Sequence, residues 1–496
     1  MRKFIYTFSV IATLLTLSSC KKYLDINKNP NAATTVDPKL LFSYASVAYI
    51  NLRSSGDMYI PMALAGQSVS AGGNNPTGWS GGDPSPDIYT FSSNFFNNSW
   101  VSLYVRGGAN LQQAIRLSET ASPVNNNAAA QCKVLLAMMV YDITTTFGDV
   151  PYTEAWNSDI LYPHFDPQKT VLEGTLTLLD KALAQFDESS PLKIGANADG
   201  YDLFYKGDIP KWKKLAKSLK LRTLLTMVDA DETKKAAIAA LINDGTSFVG
   251  SAADNCLIPY QDVAGKRNPK YAISLQYNGG LNFFFATKPV TDIMDPATGG
   301  PAISDPRLPK FFDKPAGQTK YIGVVPGADA FDAINPRIAA SLQSAAAPEV
   351  MYTYQEQLFN EAEIYARGLG VPVDLTTATA RFRNGVEASC LYFGVPAAAA
   401  KSYADQFNTV FANQAVAIQT IHAQQWVDKM DRGLDAFTQW RRSGPEGSEV
   451  PVLTLPIGAP AGPIFRRFEY PITNELSRNP NAPATIKYNV KMWFDL

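Results

Sequence analysis

Histidine is almost missing from this chain: among 496 residues there are two, His164 and His422. A serine nucleophile needs an imidazole or equivalent base within hydrogen-bonding reach, and common zinc sites need clustered His and Cys, so the scarcity removes most routes to either chemistry. Cysteine is equally scarce. Cys20, Cys132, Cys256 and Cys390 lie far apart, with no metal-binding pair and little scope for a disulfide framework. Stability must therefore come from packing. Charge of one sign does not accumulate either: 44 Lys and Arg face 45 Asp and Glu, leaving no electrostatic footprint for nucleic acid. An apolar run of the ~20 residues that a bilayer-spanning helix needs is also lacking. The nearest is the stretch from Phe4 to Leu17.

That short apolar core follows Arg2 and Lys3, which is the layout of a secretion signal. It ends in Leu17-Ser18-Ser19-Cys20, a sequence that resembles a bacterial lipobox. Cleavage before Cys20 and acylation of its thiol are then expected, fastening the chain to a membrane. Each buried methylene contributes ~0.8 kcal/mol and stable anchoring takes more than one acyl chain. On this reading residues 1–19 are a lipoprotein signal peptide, 20–36 a lipidated tether and 37–496 a single domain.

The chain is rich in helical patterning. "KLLFSYASVAYINLRSS" and "WVSLYVRGGANLQQAIRLSE" read as amphipathic helices, and "AAAQCKVLLAMMVYDITTTFG" carries the unbroken apolar run Val134 to Val140. A helix apolar all round is a buried one. Trp212, Leu215, Ala216, Leu219, Thr223 and Met227 recur at spacings of three and four, so they form one face. Lys211, Lys213, Lys214, Lys217 and Lys220 lie elsewhere around that helix, as a solvated surface. Leu358, Ala362, Tyr365 and Leu369 form a second face, on which small Ala362 and Ala366 admit a neighbouring helix. The expectation is a mostly α fold of paired, tetratricopeptide-like helices with little β, although no 34-residue period is visible. Residues 70–87 and about 245–349, dense in Gly, Pro, Asn and aromatics, read as long loops of the kind that carry function.

Three chemistries can be weighed on those loops. Gly78-Trp79-Ser80-Gly81-Gly82 matches G-x-S-x-G, but a nucleophile elbow needs a strand before and a helix after it, and neither flank is regular. A lipid-anchored hydrolase using Ser80 is the catalytic alternative. His422, with Ile418 and Trp426 one turn away on a helix, reads as a core residue, and His164 as a loop residue. For metals, Asn197, Asp199 and Asp202 could offer oxygens to calcium, but the glycine is misplaced and the closing glutamate is missing for an EF-hand; no cofactor is otherwise called for. Binding is the chemistry that fits best. Aromatic rings in polar, Gly-rich loops suit the C–H faces of sugars, with Asn supplying orienting hydrogen bonds. Trp79, Tyr89, Asn94, Tyr277, Asn278 and Tyr321 are the candidates, whereas Trp100 and Trp212, on helices, are assigned to the core.

Several collinear segments, "CKKYLDINKNPN", "TTTFGDVPYTEAW", "YDLFYKGDIPKWKKLAKSLKLR", "ISDPRLPKFF", "MYTYQEQLFNEAEIYARG", "GLDAFTQWRRSG" and "RRFEYPITNELSRNPNA", together resemble the SusD/RagB family of outer-membrane nutrient-binding lipoproteins, nearer its SusD-like branch. The resemblance implies a tetratricopeptide-like scaffold bearing a loop-built ligand site, no catalysis, and a SusC-like TonB-dependent transporter as partner. It implies a ligand that is an oligosaccharide or, second, a peptide, and an outer-membrane protein facing the cell exterior. Lys21 and Lys22 depart from the acidic residues that often follow the lipidated cysteine of surface-exported members. Gly148 and Pro151 then shape a turn, Arg441 and Arg442 precede a helix stop at Gly444, and Glu361 and Glu363 are scaffold contacts. A tetratricopeptide-like adaptor binding only protein is the third reading.

Overall fold

In the computed structural model, residues 36–55, 58–72, 86–91, 97–245, 247–271, 284–295, 303–472 and 476–496 are described. Helices begin where the sequence supplies a side chain for the unpaired amides of a first turn. Asn125 caps Asn126–Phe147 (α5) by accepting from Ala128 N–H, and Asp208 caps Ile209–Met227 (α7) by accepting from Lys211 N–H, with Pro210 in the first turn. Before them come Pro38–Ser55 (α1) and Ile60–Ala65 (α2). Next is Asn97–Val101 (α3), which runs through a π-helical stretch, Ser102–Gly108, into Ala109–Glu119 (α4). Gln168–Gln185 (α6) and Lys234–Asn243 (α8) complete the first half. The second half has Lys288–Met294 (α9) and Leu308–Phe311 (α10). Tyr354–Arg367 (α11), Leu375–Tyr392 (α12), Ala397–Asp405 (α13), Gln414–Asp428 (α14) and Gly433–Arg441 (α15) follow.

The apolar run in α5 does what its pattern requires: every residue from Asn127 to Phe147 is buried, between α4 and α6. α6 packs on α7 and α7 on α8, while α11 pairs with α12 and α14. This is the paired-helix scaffold expected. The predicted face of α7 is buried throughout, and its lysines form surface ion pairs such as Lys213–Glu188 at 2.5 Å and Lys214–Asp254 at 2.9 Å. On α12, Gly385 lets Phe359 of α11 approach so closely that a Cβ there would sit 2.8 Å from its ring.

Charge inside the bundle is paired across helices. Arg53 of α1 joins Asp142 of α5 at 2.5 Å and Asp435 of α15 at 2.7 Å. Glu356 of α11 takes Arg222 of α7 at 2.8 Å and Arg432 at 2.9 Å. Glu363 binds Arg442 at 2.9 Å and Arg367 at 2.8 Å, and Glu361 holds Arg381 at 3.1 Å, so all three acids of that helix serve the scaffold. Such pairs lock geometry rather than add much net stability, because desolvation offsets their attraction. Gly148, at φ +84°, ends α5, and α15 stops at Arg441, with Arg442 as its cap, three residues before the Gly444 stop expected from sequence.

Strands are short. Val69–Ser70 (β1), Phe285–Ala286 (β3), Arg337–Ile338 (β5) and Phe312–Asp313 (β4) form one antiparallel sheet in the order β1-β3-β5-β4. Cys256–Ile258 (β2) pairs with Glu349–Tyr352 (β6). Cys132, Cys256 and Cys390 are free, buried thiols. Among the described residues no helix is long and apolar enough to cross a membrane.

Candidate functional site

The four-stranded sheet gathers the chain segments that border the aromatic loops. Val69 pairs with Ala286 and Ser70 with Phe285, so residue 72, where one loop leaves, lies beside residue 284, where another returns. Thr287 bridges Val324 in parallel fashion, and Val324 N–H donates to Ala286 O at 2.8 Å. The 321–335 loop is thereby fixed to the same edge. Gly72 makes the convergence possible: at φ +66° a Cβ would stand 2.4 Å from Ala330 Cβ and 3.1 Å from the Phe285 ring, and Gly72 O accepts from Ala330 N–H at 3.0 Å. Asp87, buried, clasps the same corner by accepting from Ser70 Oγ and Ala71 N–H, each at 3.1 Å. Burial pushes its carboxyl up to about 6.

The structure treats the candidate residues differently. Tyr321 sits half-buried on that loop, its ring 5.1 Å from the Lys314 ammonium, with burial raising its phenol. Tyr89 is 2% exposed; its ring packs against Phe465 and Tyr488, and its hydroxyl accepts from Gln67 Nε2 at 3.1 Å. It lies in the core beneath the sheet corner rather than on a surface where a ring face is offered. Cys20, Trp79, Ser80, Asn94, Tyr277 and Asn278 lie outside the described residues.

Calcium has no seat on Asp202. That carboxylate is buried and accepts from the amides of Phe204, Tyr205 and Gly207, from Trp212 Nε1 at 2.8 Å and from Gln131 Nε2 at 3.2 Å. Asn197 and Asp199 remain at the surface. Among the described residues no group of three His, Cys, Asp or Glu side chains could hold a metal ion. Neither histidine is placed as a free base. His422 is buried with Nδ1 2.8 Å from Ser443 O and Nε2 3.4 Å from Glu363, while His164 is exposed with Nδ1 2.9 Å from Glu154. Trp100 and Trp212 are core residues, as expected.

A cavity of about 920 Å³ opens between α14 and residues 443–452. Of its charged groups Arg442 and Arg367 pair with Glu363, Arg367 also with Asp229, and Glu449 with Arg466, while Arg441 donates to Arg466 O at 2.8 Å; its Phe, Tyr and Trp lining is confined to buried Phe494. It lacks the open ring faces of a glycan site. Sequence reasoning passed over the meeting of Gly72 with the 326–335 turn, because it depends on pairing between segments more than 200 residues apart.

Residues 74–471 match a SusD-like family model described as "Starch-binding associating with outer membrane". The chain therefore belongs to the SusD-like family. Its fold is similar to that of a chitin-binding protein, with a TM-score of 0.75 at 20% identity over 93% of this chain and 100% of that one. It is also similar to a SusD homolog from Parabacteroides distasonis (TM-score 0.72, 19% identity, 92% and 98% covered). A third is a chitin-binding SusD homolog from Flavobacterium johnsoniae (0.67, 19%, 92% and 97%). At such identities these structures speak to fold. No curated protein matches.

Proposed function

We propose that this chain is a non-catalytic, lipid-anchored nutrient receptor of the outer membrane that captures a glycan oligomer on the face built around β1 and β3 and passes it to a SusC-like TonB-dependent transporter. Residues 1–19 would be its signal peptide, Cys20 the acylated residue, 20–36 the tether, and 37–496 one binding domain facing the cell exterior. The observation that carries this reading is the β1–β3 pairing, with the Tyr321 loop bridged to its edge. It brings residue 72, which leads into the stretch bearing Trp79, beside residue 284, which follows the stretch bearing Tyr277 and Asn278, at a corner where Tyr321 is half-exposed. Chitin-binding among the similar structures and starch-binding in the family description support a glycan over a peptide.

Aromatic stacking with few hydrogen bonds gives micromolar affinity, about 8 kcal/mol, because desolvation and ordering consume most of the contact energy. Calorimetry of residues 21–496 with glycan oligomers should show saturable binding without turnover. Trp79→Ala and Tyr321→Ala should each weaken it about tenfold, or ~1.4 kcal/mol. Unchanged affinity in both variants would remove the site assignment. Conversion of the ligand, or labelling of Ser80 by a fluorophosphonate, would remove the receptor reading itself.

A further inference from the structure

A second concavity, of about 480 Å³, lies beside β4 and β5, whereas the Tyr321 corner is built on β1 and β3. Lys310 of α10, just before β4, and residues 341–348, which run on from β5, supply one part of its lining. Tyr392, the last residue of α12, and Phe393 supply another. Asp428, Asp431 and Arg432 complete it with charge. The volume suits a small ligand, whose sites run to about 300–1,000 Å³. Its two rings stand edge to face 4.9 Å apart, and Phe393 is held edge to face by buried Phe311 at 4.6 Å. Both rings are only half-buried. The wall is therefore fixed from behind and open in front.

Polar groups in this cleft are incompletely paired. Arg432 is 6% exposed; its terminal nitrogens donate to Glu356 and Asp428, but its Nε–H has no partner among the described residues. The Tyr392 hydroxyl, Ser344 Oγ and Lys310 Nζ have none there either. Burial raises the Tyr392 phenol, Arg432 draws it back, and Asp428 and Asp431 add to the rise. Its hydroxyl end thus lies toward the charged side of the cleft. A ligand carboxylate would meet Asp428 and Asp431 there, and a ligand ammonium would meet Arg432 and Lys310. Hydroxyls donate and accept, so a neutral polyol answers both signs, and a buried donor left unpaired is costly enough to favour its capture of the Arg432 Nε–H. A pyranose also offers a C–H face to a ring. Resting on the glycan reading above, we infer that this cleft is a second sugar site, taking uncharged pyranose units against Tyr392, so that one chain holds glycan at two separate places.

Short oligomers report each place separately. Calorimetry of residues 21–496 with maltotriose, cellotriose and chitotriose should show two sites per chain for the trisaccharide that binds. Ala346→Trp, which sets an indole at the exposed rim of the cleft, should remove one of them, and Tyr321→Ala should weaken only the other. Tyr392→Phe should weaken the cleft about fivefold at an unchanged melting temperature, because the hydroxyl it removes bonds nothing in the protein. Trigalacturonate, with a carboxylate on each ring, should not compete there; competition would overturn the uncharged ligand class. One site per chain, weakened by Tyr321→Ala and untouched by Ala346→Trp and Tyr392→Phe, overturns the second site and leaves the glycan reading standing. Silence of all three trisaccharides and of a glycan array removes both.

Discussion

Replacing Asp202 by alanine tests whether this carboxylate is a fold hub or a metal ligand. Its oxygens satisfy three backbone amides in the 204–207 turn, the indole of Trp212 on α7 and the amide of Gln131 on α5. Trp212 is fully buried against Phe42, Phe204 and Tyr205, so water cannot easily replace the lost acceptor there. Leaving a buried donor unpaired costs about 1–3 kcal/mol. With the turn amides free to relax toward solvent, two donors, the Trp212 indole and the Gln131 amide, remain stranded, and the expected loss is about 3–5 kcal/mol. Unfolding entropy of ~2.1 cal/mol/K per residue makes that a fall of about 3–5 °C in a chain this long. Differential scanning calorimetry of residues 21–496 reads it directly, with calcium and with EDTA. A variant melting within about a degree of wild type, or a wild-type melting point that calcium raises and the substitution abolishes, would refute the hub assignment.

Glu363→Ala should be at least as damaging, about 3–5 kcal/mol, because it leaves buried Arg442 without a carboxylate and Arg367 with Asp229 alone; urea unfolding followed by circular dichroism measures it. Gly148→Ala should cost about 1–2 kcal/mol, since the residue sits at φ +84° and a Cβ would meet Arg467 Nη1 at 2.9 Å; the same assay applies. Melting temperature against pH should pass through a maximum near pH 4. Burial lifts Asp87 and Asp495 to about 6, so the folded state takes up protons before the unfolded one, and stability rises as pH falls from about 6 toward 4. Burial opposes charge on Glu363 as well, but Arg442, His422 and Arg367 hold it well below the usual carboxylate range. Its contribution is complete above about pH 4.3 and drains away at lower pH. A profile falling monotonically from pH 7 would contradict the sign assigned to the two aspartates.

Sequence pattern was informative wherever a physical property repeats locally. The apolar run of α5, the three-four spacing on α7 and the small residues on α11 each record one helix face against a neighbour, and helices need only local chain to show their period. The sheet gave no such record. Strands of two residues have no alternation to read, and β1 meets β3 across more than 200 residues. Partners outside the local stretch also enter at the two residues whose surroundings differ from the reading. Asp202 looked like an oxygen donor beside Asn197 and Asp199, but its partner Gln131 is 71 residues away. Tyr89 stood in a polar loop, and nothing local announced Phe465 and Tyr488 as its packing partners.

The arrangement has a mechanical consequence. Ion pairs cross-link α1, α5, α7, α11 and α15 inside the bundle, whereas the sheet corner is held by a handful of backbone hydrogen bonds, one glycine and one buried aspartate. Substitutions in the bundle should therefore lower melting temperature with ligand affinity intact, and substitutions of exposed corner residues should do the reverse. Glu363→Ala and Tyr321→Ala are the matched pair. If both variants lost stability and binding together, the corner and the bundle would be one cooperative unit, and the separation of scaffold from ligand face argued here would not hold.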